Sequence, residues 1–511
     1  MKLQALGVGL THFPGLSPVL EECAGLIDLL EIEPQTFWFE GGDVGDAFWV
    51  NESVLEALTA LPFPKLIHGV GFPVGGTEPP DAAQLGALRR CIAALEAPMF
   101  SEHLSFNRVR RPDGSLFYTG FLLPPLQTPE SVASAVSSIR SLTQHFVLPF
   151  AVETGVNYLR PLPGEMPDVA FVAAVVEQAD CGILLDLHNL YANQRNGRQP
   201  LDEFLAQIPL DRVWELHLAG GHEHEGYWLD AHSGGMPQEV FEAALRLARR
   251  LPNLQAIVFE VFPPHMAALG PAGFRRELEN MRRIWDARGA DLRQIPAPTA
   301  RRPVASQPLD AGSPVPVSPV EWENALGSLV TRQPAGGRAA HLLAEDPGIE
   351  ILRKLVDDFR SGVLVRTLPL TTRLLLFEIG LRRLQELLAD FFRQNTPELF
   401  GSREAAHFGQ FLRRHSISVR GFDSILEFEL ATIQTLMDQQ SRTVVFPFDP
   451  MPVLRALGEG RIPEVWIEQE TEIQITPDEA QVRAGTVSLN PSSHGGAATL
   501  PRQHRLLQGG E

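Results

Sequence analysis

GILLDLHNL (residues 182–190) and VWELHLAG (213–220) decide how this chain folds. Each opens as a short, almost wholly apolar run and then reaches ionisable residues, Asp186 and His188 in the first and His217 in the second. A run of strand length with little alternation in its first half is what burial on both faces of a parallel sheet demands. The apolar opening recurs in LGVGL (6–10), and the whole design in IDLLEIEP (27–34), KLIHGVG (65–71), MFSEHLSF (99–106), FAVETG (150–155) and AIVFEVF (256–262). Helical spacing fills most of the gaps: Leu85, Leu88, Ile92 and Leu95; then Val132, Val136, Ile139 and Leu142 behind the start signal Thr128-Pro129-Glu130. Val169, Val172 and Val176 continue it, as do Leu201, Phe204, Leu205 and Ile208. Val240, Phe241, Ala244 and Leu245, and finally Phe274, Leu278, Met281 and Trp285, complete the set. Eight strands alternating with helices over residues 1–290 predict an α/β fold, a TIM-type (β/α)8 barrel. No GxGxxG follows the first strand, so a doubly wound nucleotide-binding sheet lacks its main support.

Downstream the pattern breaks. Seven prolines fall between Pro296 and Pro319, which predicts a Pro-rich linker over 291–344, its end partly ordered. Residues 345–480 read as a separate, mainly helical α+β domain. Its helical patterns run from Ile351 to Phe359, Leu374 to Phe392 and Phe422 to Met437, and its strands are VVFPF (444–448) and EVWIEQETEIQI (464–475). The Gly/Ser-rich stretch 481–511 is expected to be a disordered tail.

The 511 residues carry a formal charge of −19, which argues against a general nucleic-acid binder. Cys23, Cys91 and Cys181 are far apart in apolar stretches and form no CxxC pair, so they read as buried thiols in a reducing compartment. MKLQALGVGL is too short an apolar run for a signal peptide, and no stretch reaches the length of a membrane span. The expectation is a cytoplasmic protein with no membrane or nucleic-acid partner.

The chemistry is read from where the ionisable residues fall. His68, His103, Glu153, Asp186, His217 and Glu260 lie in successive strands, and Asp230 and His232 follow in the loop GGHEHEGYWLDAHSGG. The catalytic end of such a barrel is the C-terminal end of its strands, so these residues converge although they are distant in sequence. Burying one such group costs several kcal/mol unless it is paired or bound to a cation. Mixed imidazole and carboxylate donors suit iron, zinc or manganese, and bridging carboxylates favour more than one ion. His188 is included among the candidate ligands, with Asn189 beside it as an equal polar contact. Glu33 reads as a structural carboxylate at the barrel mouth, His222 and His224 as solvated loop residues, and His12 and His265 as ambiguous.

At these positions the chain resembles a known family, the multinuclear non-heme iron-dependent oxidative enzymes of the methanobactin-biosynthesis type. The resemblance is carried by His68-Gly-Val-Gly71, Ser101-Glu-His-Leu104, Glu153 with Tyr158, Leu184-Leu-Asp-Leu187 with Asn189, His217-Leu-Ala-Gly220, Asp230-Ala-His232 and Phe259-Glu260. It implies two or three iron ions held by His68, His103, Glu153, Asp186, His188, His217, Asp230, His232 and Glu260, with O2 as co-substrate. It also implies oxidative modification of a ribosomally made precursor peptide, often at cysteine, with help from a peptide-recognising partner protein. RTLPLTTRLLLFEIGLRRL (366–384) and FPFDPMPVLRALGEGRIP (446–463) resemble that partner, here fused. The chain departs from the family pattern at Glu102, Thr154, His188 and Phe262. Two rival readings remain: a metal-dependent isomerase or phosphodiesterase on the same scaffold, and a non-catalytic metal-binding scaffold.

Overall fold

A computed structural model describes residues 5–41, 48–111, 113–292, 317–415 and 417–481. Eight strands close into a barrel in which every neighbour is parallel: β1 (Gly7–Thr11), β2 (Leu29–Ile32), β3 (Lys65–Gly69), β4 (Phe100–His103), β5 (Phe150–Glu153), β6 (Gly182–Asp186), β7 (Val213–Ala219) and β8 (Ala256–Glu260). Each of the eight runs that predicted a strand contains one, and β1 pairs with β8 to complete the ring. The expected helices are there as well, among them Leu85–Leu95, Pro129–Thr143, Asp168–Ala179 and Gln238–Ala248. Thr128 caps the second of these, its side chain accepting from Ser131 N with Pro129 behind it.

The period of two along each strand sorts the barrel interior into layers. Leu29, Leu66, Ala151, Leu184, Ala256 and Val258 form one apolar cluster. Two residues beyond the strand members of that cluster, on the same face, stand Glu31, His68, Glu153, Asp186 and Glu260. The apolar layer therefore plugs the barrel from below, and the ionisable layer sits on it.

Two compact units emerge, and their limits differ from those expected. One comprises Met1–Thr36 and Leu58–Val356; the other comprises Phe37–Ala57 and Asp357–Glu511. The segment expected to end a linker folds instead into helices Pro319–Val330 and Gly337–Ala344. Trp322, Leu326 and Leu343 share a core cluster with Phe106, Val109, Phe117 and Tyr158. The physical reason is that the hairpin Phe106–Arg110/Leu116–Leu123, inserted after β4, carries an apolar face that needs a cover. Residues 293–316, expected to be the extended part of the linker, and 482–511, expected to be the disordered tail, lie outside the described residues.

The second unit has its own core. Leu374, Leu388, Phe391, Phe408, Phe411, Ile425, Val444 and Phe446 belong to one buried cluster. Helices Pro369–Gln394, Gly401–Arg414 and Phe422–Asp438 and the antiparallel pair Arg442–Phe446/Thr471–Ile475 surround it, an α+β arrangement as expected. The strand predicted over 464–475 is realised only in its second half. A hairpin from between β2 and β3, Trp38–Glu40/Phe48–Val50, belongs to this unit: Phe48 packs on Phe400 at 5.1 Å and Glu40 pairs with Arg403 at 2.8 Å. Cys23, Cys91 and Cys181 are buried, and none of them forms a disulfide.

Candidate metal centre

Every barrel strand from β2 to β8 brings an ionisable side chain to the ionisable layer. Ligand-capable atoms of His68, His103 and Glu153 lie within 4.8 Å of one another. So do those of Glu153, Asp186, His217 and Glu260, and those of Glu31, Glu215 and His217. Glu153 belongs to the first two groups and His217 to the last two, so the three form one continuous cluster. His68 Nε2 and His103 Nε2 approach Glu153 Oε2 at 3.1 and 2.8 Å. His217 Nδ1 approaches Glu260 Oε2 at 3.2 Å and Glu153 Oε1 at 3.7 Å, and its Nε2 faces Glu31 Oε2 at 3.0 Å.

The far nitrogen of each strand imidazole has a partner that sets the ring. His68 Nδ1 is 2.8 Å from Ser101 Oγ, and His103 Nδ1 is 3.0 Å from Gly69 O. Glu102 accepts from His103 N and Phe72 N, so its carboxylate serves the wall behind His103. Gly69 has no room for a side chain, because a Cβ there would lie 2.5 Å from Glu102 Oε2. Thr11 Oγ1 lies 3.0 Å from Glu31 Oε1 and 3.3 Å from Glu260 Oε1. Such outer contacts orient ligands and tune their basicity.

Asp186 does two jobs with its two oxygens. Oδ1 caps the helix Leu187–Arg195 by accepting from Asn189 N at 2.8 Å. Oδ2 is buried with no hydrogen-bond partner, as is Asn189 Oδ1. Thr154 supports both residues: its Oγ1 accepts from Asp186 N and its carbonyl from Asn189 Nδ2.

Asp230 and His232 arrive on a loop rather than a strand. His232 Nε2 is 3.1 Å from Asp230 Oδ1 and 3.5 Å from Glu260 Oε2, which joins the loop to the strand-borne cluster. His232 adopts φ 43°, a left-handed conformation that L residues seldom take. It is held there by Ser233 N donating to Gly220 O and Phe262 N donating to His232 O. Phe262 lies over the His232 ring, centroids 4.3 Å apart.

Electrostatics make the cluster costly without a cation. Burial opposes charge on His68, His103, His217 and His232, yet the adjacent carboxylates raise all four, His232 to about 10. Burial also pushes Asp186 well up, with Asp230 adding to it; Glu215 rises to about 8 and Glu33 to about 7 for the same leading reason. Burial likewise opposes charge on Glu260, but His217 and His232 outweigh it and hold the carboxyl at about 2. The carboxyl groups of Glu31, Glu33, Glu102, Glu153, Asp186, Glu215, Asp230 and Glu260 outnumber the imidazoles of His68, His103, His188, His217 and His232. The unpartnered Asp186 Oδ2 and the mixed N/O donors therefore fit divalent cations.

The structure gathers His68, His103, Glu153, Asp186, His217 and Glu260 into the metal-competent groups and sets Asp230 and His232 beside them. It does not bring His188 into those groups: both ring nitrogens are engaged, by Asp230 and Trp228. His222, expected to be solvated, is half-buried with Nδ1 3.2 Å from Ser233 Oγ. Burial pushes His12 down to about 4. Glu31 and Glu215 went unrecognised in the sequence. The signal was available: Glu215 stands two before His217, and Glu31 two before Glu33, hence on the same strand face.

Fold and site together define a (β/α)8 barrel with a buried imidazole–carboxylate cluster at the C-terminal ends of its strands. The sequence profile described as RiPP precursor modification enzyme MbnB/TglH/ChrH matches residues 5–261, and the chain belongs to that family. A UPF0276 protein of Chromobacterium violaceum is 31% identical over 268 residues, covering 51% of this chain and 94% of that protein. A UPF0276 protein of Pseudomonas aeruginosa is 35% identical over 211 residues, 41% of this chain and 69% of that one. Among solved structures, D-psicose 3-epimerase in the presence of D-fructose aligns with TM-score 0.35 at 11% identity, over 55% of this chain and 99% of that chain. The IOLI protein with a binding zinc atom aligns with TM-score 0.36 at 12% identity, over 56% of this chain and 98% of its own. Among the described residues no helix is long and apolar enough to cross a membrane.

Proposed function

We propose that this chain is an iron- and O2-dependent enzyme that oxidatively modifies a ribosomally made precursor peptide, at cysteine. The observation that carries the reading is Glu153, whose carboxylate belongs to two adjoining donor groups, one with His68 and His103 and one with Asp186, His217 and Glu260. A carboxylate shared in this way suits a pair of ions rather than one. Bound iron supplies the one-electron redox chemistry that O2-dependent oxidation of a thiol-bearing residue needs.

The chain's own residues prepare the site. Asp186 presents an oxygen with no protein partner, and Ser101, Gly69 and Glu31 orient the three strand imidazoles. Phe13 and Phe262, packed edge to face at 6.0 Å, form an apolar pair beside His232. The second unit, with its own core, takes the role of peptide recognition in this reading. Family membership supports the peptide substrate; the mixed donor set supports iron.

The test is direct. Protein purified without oxygen from iron-supplemented cells should hold about two to three iron ions per chain by elemental analysis. Coexpression with a short cysteine-containing peptide encoded beside the gene should give an O2-dependent mass change confined to that peptide. Zinc alone in that protein, with no iron, would overturn the iron assignment.

A further inference from the structure

Asp230 and His232 are the part of the cluster that no barrel strand carries, so their placement depends on what braces the loop. Asp230 N donates to Tyr158 Oη at 3.0 Å, which fixes the backbone. The carboxylate is fixed from another side. His188, fully buried on the first turn of the helix Leu187–Arg195, places Nδ1 3.0 Å from Asp230 Oδ1. Its Nε2 lies 3.0 Å from Trp228 Nε1. An indole N–H only donates, so Nε2 is the acceptor and the imidazole proton sits on Nδ1, donating to Asp230.

Trp228 is itself clamped. Asn196 Oδ1 accepts from Trp228 N at 2.8 Å, and Asn196 Nδ2 donates to Trp228 O at 3.0 Å. Tyr191 meets the indole edge to face at 5.3 Å, and the Arg195 guanidinium lies 5.4 Å from its centroid. The close approach requires a glycine at 221, where a Cβ would stand 2.7 Å from His188 Nε2 and 2.8 Å from Trp228 Nε1.

We propose that Trp228 and His188 are positioning residues for Asp230, acting as a fixed indole–imidazole–carboxylate chain, and that His188 is not a metal ligand. The proposal rests on the reading of the barrel mouth as an iron site. A ligand on a loop keeps its geometry only if its own partners are locked. Here the lock is a tautomer dictated by a donor-only neighbour.

Trp228→Phe keeps an aromatic ring beside Tyr191 and Arg195 and removes the N–H donor together with part of the indole's packing. His188→Leu removes both contacts, and His188→Asn keeps a donor near the Nδ1 position. Each full-length variant is loaded anaerobically with Fe2+, and affinity is measured by chelator competition. Folding is checked by circular dichroism. W228F and H188L should hold the most weakly bound ion about 10- to 100-fold less tightly, with one iron environment altered in the Mössbauer spectrum. H188N should recover part of the loss. The double variant W228F/H188L should be no weaker than H188L, because both changes break one chain. In metal-free protein the Trp228 indole N–H resonance, assigned by its absence in W228F, should move upfield in H188L. An unmoved resonance would show that the chain does not exist, whatever the metal. Wild-type affinity in W228F would overturn the positioning role, as would loss of an entire ion in H188N while W228F keeps all. Wild-type protein that takes up no Fe2+ defeats the iron reading itself, and the role of Asp230 with it.

Discussion

If the cluster holds metal as proposed, a single carboxylate, Glu153, would set the nuclearity of the site. Glu153 ends β5 and touches both His68 and His103 on one side and faces His217 on the other, while Glu260 meets His217, His232 and Thr11. Glu153→Gln is nearly isosteric, so the fold should survive while the shared oxygens are lost. Metal content should fall further in E153Q than in E260Q, and turnover should vanish in both. Elemental analysis beside thermal unfolding checks this; equal metal loss in the two variants would mean that Glu153 serves one ion only. Asp186 could be named from the sequence because it ends an apolar run. Its division of labour could not, because the cap on Asn189 and the free Oδ2 depend on the turn of backbone into the helix.

At the scale of elements, the strands present a rigid ring and the hairpin His222–His224/Tyr227–Leu229 completes it. This hairpin docks through Trp228 onto the helix Leu187–Arg195, and Gly221 is the point of closest approach. A Cβ at 221 would also lie 2.3 Å from Leu229 O, a backbone atom that cannot swing aside. Gly221→Ala should therefore cost about 1–3 kcal/mol, as overpacking does, and weaken metal binding at Asp230. Gly86→Ala is the control. A Cβ there meets nothing within 4 Å, and Gly86 lies inside the helix Leu85–Leu95, so the change should be neutral or add up to about 1 kcal/mol. Thermal melts and iron titrations of the pair measure both effects; matching behaviour would show that the hairpin is not seated through Gly221.

For the whole molecule, the important result is where the units divide. The barrel unit extends to Val356 and takes in the helices after the proline-rich stretch, whose Trp322 and Leu326 share a core with Tyr158, the residue that holds Asp230. A chain cut near residue 290 would strip that support from the site. The second unit is built from two stretches of chain, so a C-terminal fragment supplied in trans would lack Phe37–Ala57. Peptide recognition is better tested by point substitution. Ile462 and Ile467 are 57% and 45% exposed in a segment of that unit without regular secondary structure, side chains whose loss costs little stability. Ile462→Asp with Ile467→Asp should leave iron content unchanged and weaken peptide binding about tenfold, the effect of losing roughly 1.4 kcal/mol. Unaltered peptide affinity would remove this surface from the recognition role.

The barrel was legible in the sequence because its strands are buried on both faces: eight apolar runs of strand length alternate with helical patterns, and all but the first carry an ionisable residue. The strand-borne candidates His68, His103, Glu153, Asp186, His217 and Glu260 followed from the same pattern, since strand ends of a closed barrel must meet. Burial of Glu31 and Glu215 beside His217 was encoded in the period of two but hidden by their position inside apolar runs. What only the tertiary structure decided is whatever depends on contacts between distant segments. It kept His188 out of the donor groups that could hold a metal, because Trp228 and Asp230 claim both its nitrogens from forty or so residues away. It joined residues 319–356 to the barrel and 37–57 to the second unit, because exposed apolar faces find their covers in space, not along the chain.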